Sequence, residues 1–217
     1  MAKDQTMRNL FKALDGFAIE LPSWGFADTG TRFGKFFQGA TASTLDEKLH
    51  DAGLVNQLTG ACPTVAVHVL WDFAKGEDPR NTAKLAKKHG VKIGSINPNV
   101  FQDQDYKLGS FCSPDPKARR AALKHTMDSI AIGKAVGSKH LSMWLADGTN
   151  YPGQDSIYRR KKDLEKAFKK INDEMEKSWR GSTLLIEYMP FEPSFYHTDI
   201  ADWGMSYLFC QKAGKRA

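Results

Sequence analysis

The 217-residue sequence predicts an α/β protein in which five short strands alternate with amphipathic helices. Short apolar runs rich in β-branched residues recur along the chain, as is typical of buried strands. A stretch with apolar residues at helical spacing follows each run. No internal repeat or low-complexity linker interrupts this alternation. Because parallel neighbouring strands need crossover connections, the order predicts one parallel sheet in a single domain over residues 1–217.

The five predicted strands are short apolar runs bounded by turn residues. They lie at 16–23, 64–70, 91–97, 140–145 and 183–188. The first run closes at Pro22, and the second is the β-branched stretch TVAVHVL. None approaches the ~20 apolar residues that a bilayer-spanning helix needs, so no membrane segment is predicted.

The predicted helices carry recognisable start and stop signals. Thr44 with Glu47 three residues later forms a capping-box pattern, ahead of an apolar face with Leu45, Leu49 and Ala52. Further helices are predicted at 81–89, 114–137, 156–177 and 200–213, each with apolar residues on one side.

Two parallel architectures compete for this pattern. A doubly wound nucleotide-binding sheet carries a glycine-rich turn after its first strand, but LPSWGFADTGTRFG fits neither GxGxxG nor GxxxxGK[ST]. A barrel instead places its working residues at the C-terminal ends of the strands. Polar and aromatic residues occupy those positions here: Trp24, His68, Trp71, Asn97, Asn99, Trp144, Asp147 and Glu187. We therefore predict a (β/α)8 TIM barrel that is truncated after about five β/α units.

Composition and charge restrict the function classes. Apolar residues make up 41% of the chain and aromatic residues 11%, which suffices for a packed core. The net charge of +6 arises largely from AKLAKKHG, KARRAALKH and RRKKDLEKAFKK, which have helical periodicity. Solvated outer helix faces explain these clusters; a polyanion-binding surface is the alternative. The three cysteines form no CxxC pair and no signal-peptide core is present, which predicts a reduced, cytoplasmic setting.

Two polar residues stand inside apolar strands. Glu187 interrupts LLIEY, where a carboxylate costs several kcal/mol unless it is paired or binds a metal. His68 lies in TVAVHVLWD, either as a core histidine with a backbone hydrogen bond or as an acid or base that contacts substrate. Trp24, Phe33 and Trp144 are either core aromatics or the flat apolar walls that a sugar site needs.

Five motifs carry a resemblance to a known family: PSWGFADTGTRFGKF, ACPTVAVHVLWD, INPNVFQDQDYKLGS, LADGTNYPGQD and IEYMPFEPSFYHTDIADWG. Together they resemble the L-rhamnose isomerase-like sugar isomerases, which have a xylose isomerase-like barrel, over about 17–217. The resemblance implies an aldose–ketose isomerase, an intramolecular oxidoreductase that acts on a monosaccharide with a divalent metal, usually Mn²⁺. It also implies a homo-oligomer, as in tetrameric relatives, with no nucleic-acid or membrane partner.

The same resemblance assigns roles to individual residues. It implies that Glu187 is a metal ligand and that His68 contacts sugar hydroxyls near the open-chain carbonyl. It further implies that Trp24, Phe33 and Trp144 line the substrate pocket.

The sequence departs from the family in two ways. Met189 stands where the family carries a catalytic lysine, and family members are about twice as long. The metal ligands expected on later strands have no counterpart in this sequence. We therefore expect an N-terminal fragment of the enzyme that is marginally folded and inactive alone. A non-catalytic sugar-binding or interaction remnant is the alternative, and a metal-dependent nuclease on a related barrel is a lesser one.

Overall fold

The architecture centres on a parallel sheet. The computed structural model describes residues 2–28, 37–150, 153–191 and 197–217, with side chains from residue 5. The strands are β1 (Glu20–Pro22), β2 (Thr64–His68), β3 (Lys92–Asn97), β4 (His140–Met143), β5 (Gly148–Thr149), β6 (Thr183–Ile186) and β7 (His197–Thr198). β1, β2, β3, β4 and β6 pair in that order, and each pairing is parallel. The predicted α/β class with five parallel strands is thus confirmed.

Helices flank these strands, and the second to the fifth of them connect consecutive strands of the sheet. They are α1 (Ala2–Asp15), α2 (Leu45–Thr59), α3 (Arg80–Lys88), α4 (Pro116–Val136), α5 (Ile157–Ser178) and α6 (Trp203–Ala213). The last five correspond to the predicted helices, and every predicted end lies within three residues of the observed one. Helix α1 was not predicted, although Met7, Leu10, Phe11 and Leu14 have helical spacing. These four side chains are all exposed, so they do not pack against the sheet.

Local signals fix where the helices begin and end. The Thr44 hydroxyl accepts a hydrogen bond from the amide of Glu47 at 3.2 Å, and the Glu47 carboxylate accepts one from the Thr44 amide at 3.0 Å. The predicted capping box of α2 is therefore formed. Asp115 and Ser156 cap α4 and α5, and each side chain accepts one hydrogen bond from a backbone amide of the first turn. Gly137 ends α4 with φ of 77°, a left-handed conformation that glycine adopts without steric cost.

The core lies between the sheet and its outer helices. Strand side chains such as Val65, Val67 and Leu141 are completely buried, as are Leu164 and Phe168 of α5. A parallel sheet with buried faces explains why the strands appear as nearly continuous apolar runs rather than alternating patterns.

A small antiparallel ribbon was missed by the sequence analysis. β5 follows β4 and pairs with β7, which precedes α6, through Gly148–Thr198 and Thr149–His197. Two-residue strands leave no periodicity to detect. The ribbon connects the loop after β4 to the loop after β6, so it shapes the end of the sheet at which the predicted site lies.

Candidate functional site

A contiguous cluster of rings covers the C-terminal ends of the first four parallel strands. His68 stacks on Trp71 with ring centroids 3.9 Å apart, and Trp24 meets His68 edge-on at 5.8 Å. Phe101 contacts His68 at 5.6 Å and Trp144 at 4.6 Å, again edge-on. The predicted pocket residues of β1, β2 and β4 are therefore brought together in one aromatic wall.

His68 is the polar centre of this wall. Its side chain is buried, and its Nδ1 lies 3.2 Å from the carbonyl oxygen of Val69. Because a carbonyl can only accept, Nδ1 carries the proton in the neutral ring and Nε2 remains an acceptor. Burial lowers the pKa of His68 to about 4, so the imidazole is neutral at pH 7.

A buried carboxylate fixes the chain around His68. Asp72 accepts hydrogen bonds from the Ser23 hydroxyl at 2.5 Å and from the backbone amide of His68 at 2.7 Å. It also forms an ion pair with Lys48 of α2 at 2.9 Å. The turn between His68 and Asp72 contains Leu70 at φ of 90°, a conformation that non-glycine residues rarely adopt. Such strain persists where the surroundings dictate the backbone, as the Asp72 contacts do here.

A second set of hydrogen bonds holds the outer edge of the wall. The Trp71 indole donates to Gln102 Oε1 at 2.8 Å, and the side-chain amide of Asn99 donates to the same atom at 2.6 Å. The backbone amide of Asn99 in turn donates to His125 Nε2 at 2.9 Å. The loop after β3 therefore fixes the indole that covers His68.

Glu187 lies directly after β6, at the same end of the sheet. Its backbone amide donates to the Met143 carbonyl at 3.1 Å, and its Oε1 accepts a hydrogen bond from Ser142 at 2.5 Å. The apolar run around Glu187 predicted an enclosed carboxylate, but Glu187 is exposed. Among the described residues β6 is an edge strand of the sheet, so no neighbouring strand covers Glu187 on that side.

The remaining predicted positions have different outcomes. The Met189 amide donates to the Ile200 carbonyl at 2.9 Å, and the Thr198 hydroxyl donates to the Met189 carbonyl, so the backbone there is anchored to the β7 segment. Phe33 lies outside the described residues. The roles assigned to these residues, and to Trp24, His68, Trp144 and Glu187, stay predictions.

Three residues of the site had no predicted role. Phe101 bridges His68 and Trp144, yet in the sequence it is one aromatic in a polar loop. Lys48 lies on α2, for which the sequence predicted only an apolar face. The structure shows that Lys48 is buried, at 5% exposure, and that it pairs with Asp72. The HxxxD spacing from His68 to Asp72 was the available signal for the carboxylate.

A second buried polar cluster lies beside the site, where Cys112, Asp147 and Asp199 have ligand atoms within 4.8 Å of one another. Burial, and the nearby Asp199 charge, raise the pKa of Asp147. Arg160 occupies the other side of Asp199, with Nη2 to Oδ2 at 2.6 Å and Nε to Oδ1 at 3.0 Å. A guanidinium already neutralises this carboxylate, so we interpret the cluster as a structural ion-pair network.

Arg160 corrects one prediction from the sequence. Its stretch, RRKKDLEKAFKK, was assigned to a solvated helix face, but the Arg160 side chain is only 2% exposed. Neighbouring charges do follow the prediction, since Lys162 and Lys169 are more than 40% exposed and pair with acids on the same helix.

Lowering the pH is expected to destabilise the protein through His68. Its pKa is about 4 when folded, against an unperturbed value of 6.5. The contribution of His68 to stability is fully present above about pH 6.5. It is lost as the pH falls towards 4, because in that range only the unfolded state takes up the proton. Between pH 7 and 4.5 the loss from this group is about 2–3 kcal/mol. Urea unfolding of the wild type and His68→Gln at both pH values measures it, since the variant lacks this contribution.

The exposed His50 provides the control for that measurement. His50→Gln is expected to keep the wild-type pH dependence. An equal loss of stability in the wild type and in His68→Gln would contradict the assignment.

Comparison with known proteins supports a relation to sugar isomerases. The chain is 36% identical over 209 residues to a probable sugar isomerase of Mesorhizobium japonicum, covering 94% of this chain and 47% of that protein. It is 34% identical over 206 residues to a probable sugar isomerase of Rhizobium meliloti, covering 93% and 47%. The chain thus spans about half the length of the curated relatives it matches. No protein-family model matches it.

Solved structures agree on the fold. A D-allulose 3-epimerase from Methylomonas sp. superposes with a TM-score of 0.60 at 12% identity, covering 91% of this chain and 59% of the epimerase. In the described part of the chain no helix has the length and apolarity to cross a membrane. The chain is similar in sequence to these probable sugar isomerases, and its five parallel strands match part of the xylose isomerase-like TIM-barrel fold.

Proposed function

We propose that this chain forms the substrate-binding part of a metal-dependent aldose–ketose isomerase of the L-rhamnose isomerase type. The observation that carries the proposal is the aromatic wall around a neutral, buried imidazole at the C-terminal strand ends. The relatives named as probable sugar isomerases support the same reaction class.

The wall has the chemistry that a monosaccharide requires. The faces of Trp24 and Trp144, both half-buried, offer flat apolar surface to the C–H groups of a sugar. His68 offers the acceptor Nε2 to a hydroxyl, because its Nδ1 proton is committed to Val69. A neutral imidazole suits this role, since it binds hydroxyl groups without introducing a buried charge.

Glu187 is the proposed metal ligand. Its carboxylate is accessible at the strand end, and carboxylate oxygen is a donor that Mn²⁺ accepts. Among the described residues, Glu187 belongs to no group of three or more potential metal ligands. One carboxylate does not hold a catalytic metal, so these residues do not make a complete site and we derive no step through the metal. We accordingly propose that this chain alone is inactive as an isomerase.

Met189 favours the second candidate function, sugar binding without catalysis. The thioether that replaces the family lysine has neither a charge nor a proton to donate. Its backbone position is nevertheless held by Ile200 and Thr198. A retained loop with a chemically silent side chain is the pattern expected of a binding module derived from an enzyme.

Titration of tryptophan fluorescence with L-rhamnose and other aldoses and ketoses tests the proposal. We expect saturable binding, and we expect Trp144→Ala to weaken it about tenfold, equivalent to about 1.4 kcal/mol. Trp203→Ala is the matched control, because that indole is 73% exposed on α6 and should leave affinity unchanged. Absence of binding to every monosaccharide would refute the proposal.

Conversion assays with added Mn²⁺ then test the proposed inactivity of this chain. Binding without aldose–ketose conversion is expected both of an inactive part of the isomerase and of a binding module. Conversion that Mn²⁺ stimulates, and that Glu187→Gln removes, would contradict the proposed inactivity. Binding to DNA that falls steeply with salt would instead favour the nuclease alternative.

A further inference from the structure

The Asp72 carboxylate connects three separate elements beneath the aromatic wall. Ser23 follows β1, Lys48 lies on α2 and His68 ends β2, and each donates a hydrogen bond to Asp72. The Lys48 and Asp72 side chains are 6% and 0% exposed, so this ion pair is sequestered from water.

The two carboxylate oxygens have different partners. Oδ2 accepts both the Ser23 hydroxyl and the His68 backbone amide, whereas Oδ1 accepts the Lys48 ammonium. The ends of β1 and β2 are therefore held by the acceptor Oδ2. Lys48 has a different role, because its positive charge compensates the negative charge of the Asp72 carboxylate. A neutral acceptor at the same place would hold the strand ends without Lys48.

The groups that Asp72 holds carry the rings of the proposed sugar site. Ser23 directly precedes Trp24. The His68 carbonyl accepts the amides of Trp71 at 3.1 Å and of Asp72 at 3.0 Å, which closes the turn that places the indole on the imidazole. Loss of the acceptor at Asp72 therefore releases both the Ser23 hydroxyl, next to Trp24, and the His68 amide, which begins the turn to Trp71.

We propose that Asp72 is a positioning residue: its Oδ2 atom fixes the ends of β1 and β2 and thereby sets the mutual placement of Trp24, His68 and Trp71. Its significance for sugar binding rests on the function proposed above. Its geometric role does not, and it can be measured without a sugar.

Two double variants test this role at equal charge. Lys48→Met with Asp72→Asn removes the ion pair but keeps an amide oxygen where Oδ2 stands. Lys48→Met with Asp72→Leu removes the ion pair and that acceptor, with a side chain of similar volume. Both lose the buried charges, so they differ in the asparagine amide, whose oxygen can accept at the place of Oδ2.

The readouts are the side-chain NMR resonances of His68, the near-ultraviolet circular dichroism of the indoles and the affinity for sugar. We expect the asparagine variant to match the wild type in all three, within about threefold in affinity. We expect the leucine variant to shift the His68 resonances, to lose near-ultraviolet dichroism and to bind sugar at least tenfold more weakly.

Melting temperatures recorded alongside identify the range in which each variant is folded. Asp46→Asn is the control, because Asp46 also lies on α2 but is 52% exposed in its pairs with Lys88 and His89, so its loss should leave every readout unchanged. Identical His68 resonances and dichroism in the two folded double variants would overturn the proposal. If the wild type binds no sugar but the spectra differ as expected, the proposed function fails and the positioning role stands.

Discussion

Replacing Arg160 by methionine is expected to lower the free energy of unfolding by about 3–5 kcal/mol. Two guanidinium nitrogens, Nε and Nη2, donate to Asp199, and the third, Nη1, donates to Asp155, at 2.6–3.1 Å. Its removal leaves the Asp199 carboxylate buried without a counterion beside Asp147, whose pKa is already raised by burial. An uncompensated buried charge costs far more than the ion pair contributes, which is why the effect is large.

Urea unfolding at pH 7 measures this loss, and the adjacent Arg159 provides a matched control. Arg159 pairs with Asp155 and Asp163 at 2.8 Å but is 34% exposed. Arg159→Met is expected to cost at most about 1 kcal/mol, because water screens partly exposed pairs. Similar losses in the two variants would show that burial does not decide the contribution of these arginines.

Replacing Phe168 by alanine is expected to destabilise the protein by about 3–5 kcal/mol. The ring is completely buried on α5, with its centroid 5.6 Å from Phe209 of α6 and 6.4 Å from Phe111. Truncation loses the transfer energy of the ring and leaves a cavity that rigid neighbours cannot fill. Because Phe209 joins α6 to α5, we also expect faster amide exchange in α6.

Tyr158→Ala on the same helix is the control for the second prediction. Its ring is 73% exposed, so its loss should change the unfolding free energy by less than about 0.5 kcal/mol. A cost below about 1 kcal/mol for Phe168→Ala would mean that α6 closes over the cavity, and its amide exchange would then stay at the wild-type rate.

The parts of the fold that local chemistry determines could be predicted from the sequence. The β-branched run that became β2, the capping box at Thr44 and the glycine stop at Gly137 each act over a few residues. The grouping of Trp24 and Trp144 also followed, because parallel strands place their C-terminal ends at one edge. These predictions need only periodicity and chain direction.

The parts that tertiary contacts determine could not be predicted. Lys48 and Arg160 lie in helical stretches where basic residues are usually solvated, and only partners distant along the chain, Asp72 and Asp199, explain their burial. Glu187 is the opposite case, a carboxylate expected to be enclosed but found exposed. Its exposure depends on whether another strand covers it. A single sequence does not state which distant carboxylate meets which cation.

The ribbon of β5 and β7 has a consequence for how the site end of the sheet moves. The Asp199 amide donates to the Asp147 carbonyl at 3.1 Å, one residue beyond the paired strands. The segment after β4 and the segment that leads into α6 thus share backbone hydrogen bonds and one buried ion-pair network. Separating them breaks both sets of contacts at once, so they form a single cooperative unit of local unfolding. Met189, whose backbone is hydrogen-bonded to Thr198 and Ile200, belongs to the same unit.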